Sequence, residues 1–225
     1  MSTTHPQITV FVKFGGHLSK SITLNDDGSL NKDSSECVMS EGHAYRHGLF
    51  RESDPSIALA KLISKLKPEH AIALGCLPEG VGDKIGIVAK GSRESPPPAG
   101  PISRSAANIT YTPGMPAFLL CDVDTKGASA ALKDRLVRGE IEAIIGEVLP
   151  EISTTSRMAR ASTSAGLHID ATGEPVGDAG GSHLYLLVKD GADIPRALAA
   201  LAQRLWLAGY FDFVTFRTPL HARYS

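Results

Sequence analysis

Two aspartates one residue apart, Asp122 and Asp124, close an apolar segment, PAFLLCDVDTKG (residues 116–127). Side chains alternate faces along a strand, so positions i and i+2 point the same way. Read as a strand, 117–124 therefore sends both carboxylates off one face at its C-terminal end. Two carboxylates that close repel each other unless a cation lies between them, and a hard divalent ion is the usual solution. The pair points to a Mg2+ or Mn2+ site; the plainer alternative is a strand end that turns into solvent. Two further clusters suit such a site. Arg160, Ser162, Thr163 and Ser164, followed by Gly166, supply a guanidinium, hydroxyls and backbone N–H groups around small residues, which is what a triphosphate needs. The alternative is a serine-rich loop whose hydroxyls cap their own backbone. His183, preceded by Gly180-Gly181-Ser182, opens an apolar strand and reads as a phosphate contact, or else as a strand-end histidine bonded to backbone. Paired carboxylates that hold divalent metals beside phosphate-binding groups are the apparatus of nucleotidyl transfer. His168 reads as solvated, Tyr185 and Trp206 as core.

The elements that must position these groups follow from pattern. Residues 8–14, ITVFVKF, are β-branched and aromatic and end at Gly15-Gly16, a strand and turn. Asp27-Gly28 then turns between two short apolar pieces, as in a hairpin. Asp54-Pro55 caps and starts a helix with Ile57, Leu59, Leu62, Ile63 and Leu66 on one side, stopped by Lys67-Pro68. Residues 70–77 and 84–90 read as strands, completing an N-terminal αβ unit over 1–90. A Pro/Gly-rich connector spans 91–107.

The third part, 108–225, opens on a short strand at 108–112. A strand at 117–124, a helical region over 128–149, and a strand at 158–162 follow. A polar loop (163–182) leads to a strand at 183–189 and a helix from Asp193 to Ala208, with Ile194, Leu198, Leu201 and Leu205 buried and Gly209 as C-cap. A strand at 211–216 closes the series. From 117 onward the order is β-α-β-β-α-β, so the expected class is α+β with a ferredoxin/RRM-like βαββαβ mixed sheet. In that arrangement the first and third strands are antiparallel neighbours. Asp122 and Asp124 then lie beside Ser182 and His183, although far apart in sequence.

Composition bounds the reading. The 225 residues are 42% apolar and 21% charged with a net charge of −1, so no global field favours nucleic acid. Cys37, Cys76 and Cys121 are scattered, fitting neither a disulfide framework nor zinc spacing, which suggests a reducing cytoplasm. Signal-peptide and membrane-spanning patterns are not apparent, so no membrane partner is expected.

The hydrophobic-Asp-hydrophobic-Asp strand (Leu120-Cys121-Asp122-Val123-Asp124) and the Gly181-Ser182-His183 start of an apolar strand resemble the archaeo-eukaryotic primase superfamily. RASTSAGL, the run GGSHLYLLVKDGADIPRALAALAQRLWLAG, the DTKG after the aspartates and the N-terminal unit resemble its bacterial plasmid, phage and integrated-element branch. The resemblance spans most of the chain. It implies a primase-polymerase that joins nucleoside triphosphates on single-stranded DNA for a mobile element, with a separate helicase as partner. It makes Asp122 and Asp124 metal ligands and sets His183 and Ser182 on the incoming nucleotide. Arg160, Ser162 and Ser164 would lie near its phosphates. The superfamily has a third acidic residue after the helix that ends here at Gly209; YFDFVTFRTPLHARYS does not look like that continuation, and Asp212 is its one candidate. A truncated or frame-shifted member is thus expected, with poor synthesis or none. Two alternatives stay open: a non-catalytic nucleotide- or DNA-binding remnant, and a different Asp-x-Asp enzyme such as a nucleotide-sugar transferase. The latter would need an open, mostly parallel sheet with its aspartates in a loop.

Overall fold

The computed structural model describes residues 5–50, 52–92, 94–95, 100–123, 128–162, 165–169, 171–176, 181–210 and 215–216. The N-terminal part contains β1 (Gln7–Lys13), β2 (Ser21–Leu24), β3 (Leu30–Asp33), β4 (Glu41–Gly48), α1 (Pro55–Ile63), β5 (His70–Ala73) and β6 (Lys84–Val88). Next come β7 (Ile102–Ser103), β8 (Ala117–Val123), α2 (Ala130–Val137), α3 (Ile141–Val148), β9 (Arg157–Ala161), β10 (Ser182–Val188), α4 (Ile194–Leu207) and β11 (Thr215–Phe216). The class is α+β, as the sequence suggests.

Two sheets carry the architecture. The first, in the order β5-β1-β4-β6-β7, is mixed: neighbouring strands are antiparallel except β6 with β7, which are parallel. The second, in the order β11-β8-β10-β9, is antiparallel at every pair. The mixed character expected of the sheet that carries the aspartates therefore belongs to the first sheet, while the antiparallel pairing expected between the Asp122 and His183 strands is present. β2 and β3 form a separate hairpin around the 25–29 turn.

Alternation sorts the side chains of β8 and β10 into two cores. Ala117, Leu119, Cys121 and Val123, with Leu184 and Leu186, pack under α2, α3 and α4. Phe118, Leu120 and Tyr185 point the other way, into a cluster shared with Ile8, Leu49, Leu59, Ile72 and Leu74. The residue ranges 1–90 and 108–225 thus bury apolar surface against each other. A third cluster, including Phe11, Ala44, Ile85, Ile87 and Ile102, fills the opposite face of the first sheet.

Several elements depart from the sequence reading. β4, the centre of the first sheet, was not anticipated. Residues 91–107, read as a connector, contribute β7, whose Ile102 is buried and pairs with Ile87. The stretch 108–112 makes one bridge, Thr110 to Cys76, rather than a strand. The helical region 128–149 divides at Gly139, whose φ of +77° is left-handed and ends α2. α4 buries Ile194, Leu198, Leu201 and Leu205 as expected, and Gly209 adopts φ +90° beyond it. Trp206, expected in the core, is 59% exposed, because it lies off that apolar stripe. Ile57 of α1 is likewise exposed, while Leu59 is fully buried.

Asp54 ties the two parts together. Its carboxylate caps α1 by accepting from the Ser56 N–H (2.8 Å) and hydroxyl (2.9 Å), and it also accepts from the Ser156 hydroxyl beside β9. The Ser156 hydroxyl, and after it the Ser56 donors, hold this carboxyl below its usual pKa of 3.8 against an opposing effect of burial. A depressed carboxyl stabilises the fold above its unfolded pKa and loses that contribution as pH falls through the folded value. Asp54→Ala is expected to lower stability by about 1 kcal/mol at pH 7. Urea melts from pH 7 to 3 should show the gap between wild type and variant narrowing on acidification.

Candidate functional site

The site is built on the β8–β10 ladder. Ser182–Val188 pairs antiparallel with Ala117–Val123, so that His183 lies directly across from Asp122 and Tyr185 across from Leu120. β9 continues the row with Arg160 opposite His183, and β11 extends it on the other side with Thr215 opposite Asp122. Residues directly opposite share a sheet face. Asp122, His183 and Arg160 therefore emerge on one face, the face that carries Phe118, Leu120 and Tyr185 deeper in.

The sequence folds this way locally because the two strands are apolar along almost their whole length. Both faces of β8 are covered, which leaves the strand ends for polar groups. Asp122 is 21% and His183 12% exposed at the side chain, and His183 Nε2 stands 3.3 Å from Asp122 Oδ1. The His183 ring also meets Tyr185 edge to face, with centroids 6.4 Å apart. Partial burial raises the strength of any charge interaction here above its value in water. Arg160 is half-buried in the same row.

The hydroxyl residues separate. Ser162 closes the base of the β9–β10 loop: its N–H donates to the Gly181 carbonyl (2.8 Å), and its Oγ accepts from the Gly181 N–H (3.1 Å). This is the backbone-capping role of the alternative sequence reading. Ser182 pairs with Val123 and Ala161, one position from His183, and so takes the opposite face at the strand's start. Asp124, Thr163, Ser164 and Asp212, four residues of the expected site, lie outside the described residues. His168 is exposed, as expected.

As for a metal, the described residues contain no group of three His, Cys, Asp or Glu side chains placed to hold one. Asp122 and His183 make two. Mg2+ usually takes one or two protein carboxylates and completes its shell with water and phosphate oxygens. A carboxylate at a strand end, with a guanidinium two strands away in the same row, fits that usage. A carboxylate for a cation, an imidazole against it, and a planar fork for a phosphate form a row able to hold a metal–polyphosphate.

Sequence reasoning placed Asp122, His183 and Arg160 together, but missed Ser156, whose contact with Asp54 anchors the start of β9. A lone serine ahead of a strand carries no sequence signal. Cys121, between Leu120 and Asp122, faces the helices and is fully buried, and burial pushes its thiol up to about 12. It should resist thiol-exchange reagents at pH 8 in the native chain and react fully in denaturant, as counted by absorbance. Comparison with known proteins gives no guide to this site: no family model, curated protein or solved structure matches the chain.

Proposed function

We propose that the chain is a metal-dependent nucleotidyltransferase of the primase-polymerase type, joining nucleoside triphosphates on single-stranded DNA. The observation that carries the reading is the row Asp122–His183–Arg160 across three adjacent strands, with the carboxylate and imidazole 3.3 Å apart. Numbering β8, β9, β10 and β11 as first to fourth, the sheet order is fourth-first-third-second and antiparallel throughout. That order, with helices in both β-α-β crossovers, supports a ferredoxin/RRM-like βαββαβ fold. It disfavours the nucleotide-sugar transferase, since Asp122 sits within an antiparallel strand rather than in a loop beside a parallel sheet. Three buried free thiols suit a reducing cytoplasmic setting. Among the described residues no helix is long and apolar enough to cross a membrane.

In this reading Asp122, with Asp124, holds Mg2+ or Mn2+, and the ion supplies charge neutralisation at the polyphosphate and activation of the attacking hydroxyl. Arg160 pairs with phosphate oxygens in the two-pronged geometry of a guanidinium. His183 positions the Asp122 carboxylate and donates toward the nucleotide. Ser162 keeps the loop base closed beside the row. The template is single-stranded DNA, and a separate helicase is the partner.

A second reading, a remnant that binds nucleotide without transferring it, is favoured by one observation: Asp122 is the single carboxylate of the row among the described residues. The two readings divide on activity. By calorimetry, Asp122→Asn should cut Mn2+-dependent binding of a nucleoside triphosphate by at least roughly tenfold. Unchanged affinity overturns both. Primer extension on a single-stranded template then separates them: synthesis by wild type that is lost in Asp212→Asn identifies a transferase with Asp212 as third acid, and binding without synthesis identifies the remnant.

A further inference from the structure

The first sheet carries a set of rings that the nucleotide site does not use. On β4, His43, Tyr45 and His47 alternate with Ala44 and Arg46, so the three rings share the face opposite the Ala44 core. Phe14, just past β1, is 49% exposed and meets His43 edge to face, with centroids 4.7 Å apart. His43 and Tyr45 follow at 6.1 Å. Lys84, directly across from Tyr45 on β6, holds its ammonium 5.3 Å from the Tyr45 ring centroid. Gly86, across from His43, adds no side chain over the imidazole. At the other end of this face, Ile8 and Ile72 are sealed by Phe118, Leu120 and Tyr185; toward Phe14 the face opens.

Cross-strand ring pairs stabilise a sheet without any ligand. Two features go beyond that role. Among the described residues the rings stay partly exposed, and Lys84, at the edge of the strip, carries its ammonium over the Tyr45 ring. Aromatic side chains and a cation on an open sheet face suit unpaired bases, because every base offers a π-face and every phosphate needs a counter-charge. A duplex keeps its base faces stacked inside and cannot use such a strip. Burial, then the nearby Lys84, lowers the pKa of His43, which keeps that ring neutral and stackable at neutral pH. Glu41, at the end of β4 opposite Val88, confines the cationic part to the Lys84 end.

We propose that the Phe14–His43–Tyr45–Lys84 strip is a stacking platform for single-stranded nucleic acid. Bases lie on the rings, and a phosphate sits at Lys84. The choice of occupant rests on the nucleotidyl-transfer reading, which needs a single-stranded template; the rings and the cation stand without it. The chain has a net charge of −1, so stacking must carry most of the affinity and the salt dependence is shallow.

The test is fluorescence anisotropy with a labelled oligothymidylate on the full chain in chelator, so that the Asp122 site contributes nothing through metal. Wild type should bind. Phe14→Ala and Tyr45→Ala should each weaken binding about tenfold, since a stacked base contributes on the order of a decade in affinity. Tyr45→Phe should retain it, and Lys84→Glu should weaken it while flattening the salt dependence. Melting curves confirm that each variant is folded, and exposed Phe14 keeps the test valid should a Tyr45 variant unfold. Asp122→Asn should leave oligonucleotide binding unchanged. The proposal is overturned if wild type fails to bind, if the ring variants bind as wild type does, or if Asp122→Asn abolishes binding. It is equally overturned if the ring variants only convert a dimer to a monomer, which would make a second copy of the chain the occupant. Oligonucleotide binding that persists where metal-dependent triphosphate binding is absent would refute the transferase reading and leave the platform standing.

Discussion

The pairing of β8 with β10 is the constraint on which the rest of the molecule depends. Seven consecutive residues on each strand meet in register, and the register is fixed by burial on both faces. A slip of one residue would turn Leu119 and Cys121 out of the helical core, and Phe118 and Leu120 out of the core shared with β1 and α1. Two buried faces resist that slip twice over. The opposition of Asp122 to His183 is thus a by-product of hydrophobic packing several residues away. No force between the carboxylate and the imidazole has to hold them in register, so their chemistry can be exchanged without endangering the fold.

Much of this was legible in the sequence, and the legible parts share a physical origin. α4 announced itself through its apolar stripe, its first-turn proline and the glycine that follows it. β8 and β10 stood out as uninterrupted apolar runs, which is how strands buried on both faces read. From the strand order, the meeting of residues some sixty positions apart could be anticipated. β4 was invisible for the opposite reason. Its inward residues are Gly42, Ala44, Arg46 and Gly48, none of them β-branched or aromatic. Gly42 is there because a Cβ would stand 2.0 Å from the Val12 carbonyl oxygen, a demand that only the folded neighbour imposes. Without β4, the alternating His43, Tyr45 and His47 had no face to belong to.

The division of the chain was harder to read than its elements. Prolines and glycines around residues 91–103 punctuate the sequence, yet Ile102 completes an edge of the first sheet and the shared core crosses the punctuation. Composition reports where the backbone cannot be regular. It does not report which apolar faces will find each other. Trp206 shows the same limit: its residue type favours burial, but its position on α4 sets it off the buried stripe.

The paired bonds between Ser162 and Gly181 bear on how the chain can change. They close the β9–β10 loop at its root, and inside it a small ladder links Leu167 to Val176 and Ile169 to Glu174 around a turn at Gly173. Strand register is therefore set outside the loop, by the root and by the cores beneath it. The tip is a permissive position. For a flexible loop, each doubling of length costs only about 0.6 kcal/mol in closure entropy. A reporter peptide or a whole small domain grafted there would leave the sheet beneath the same.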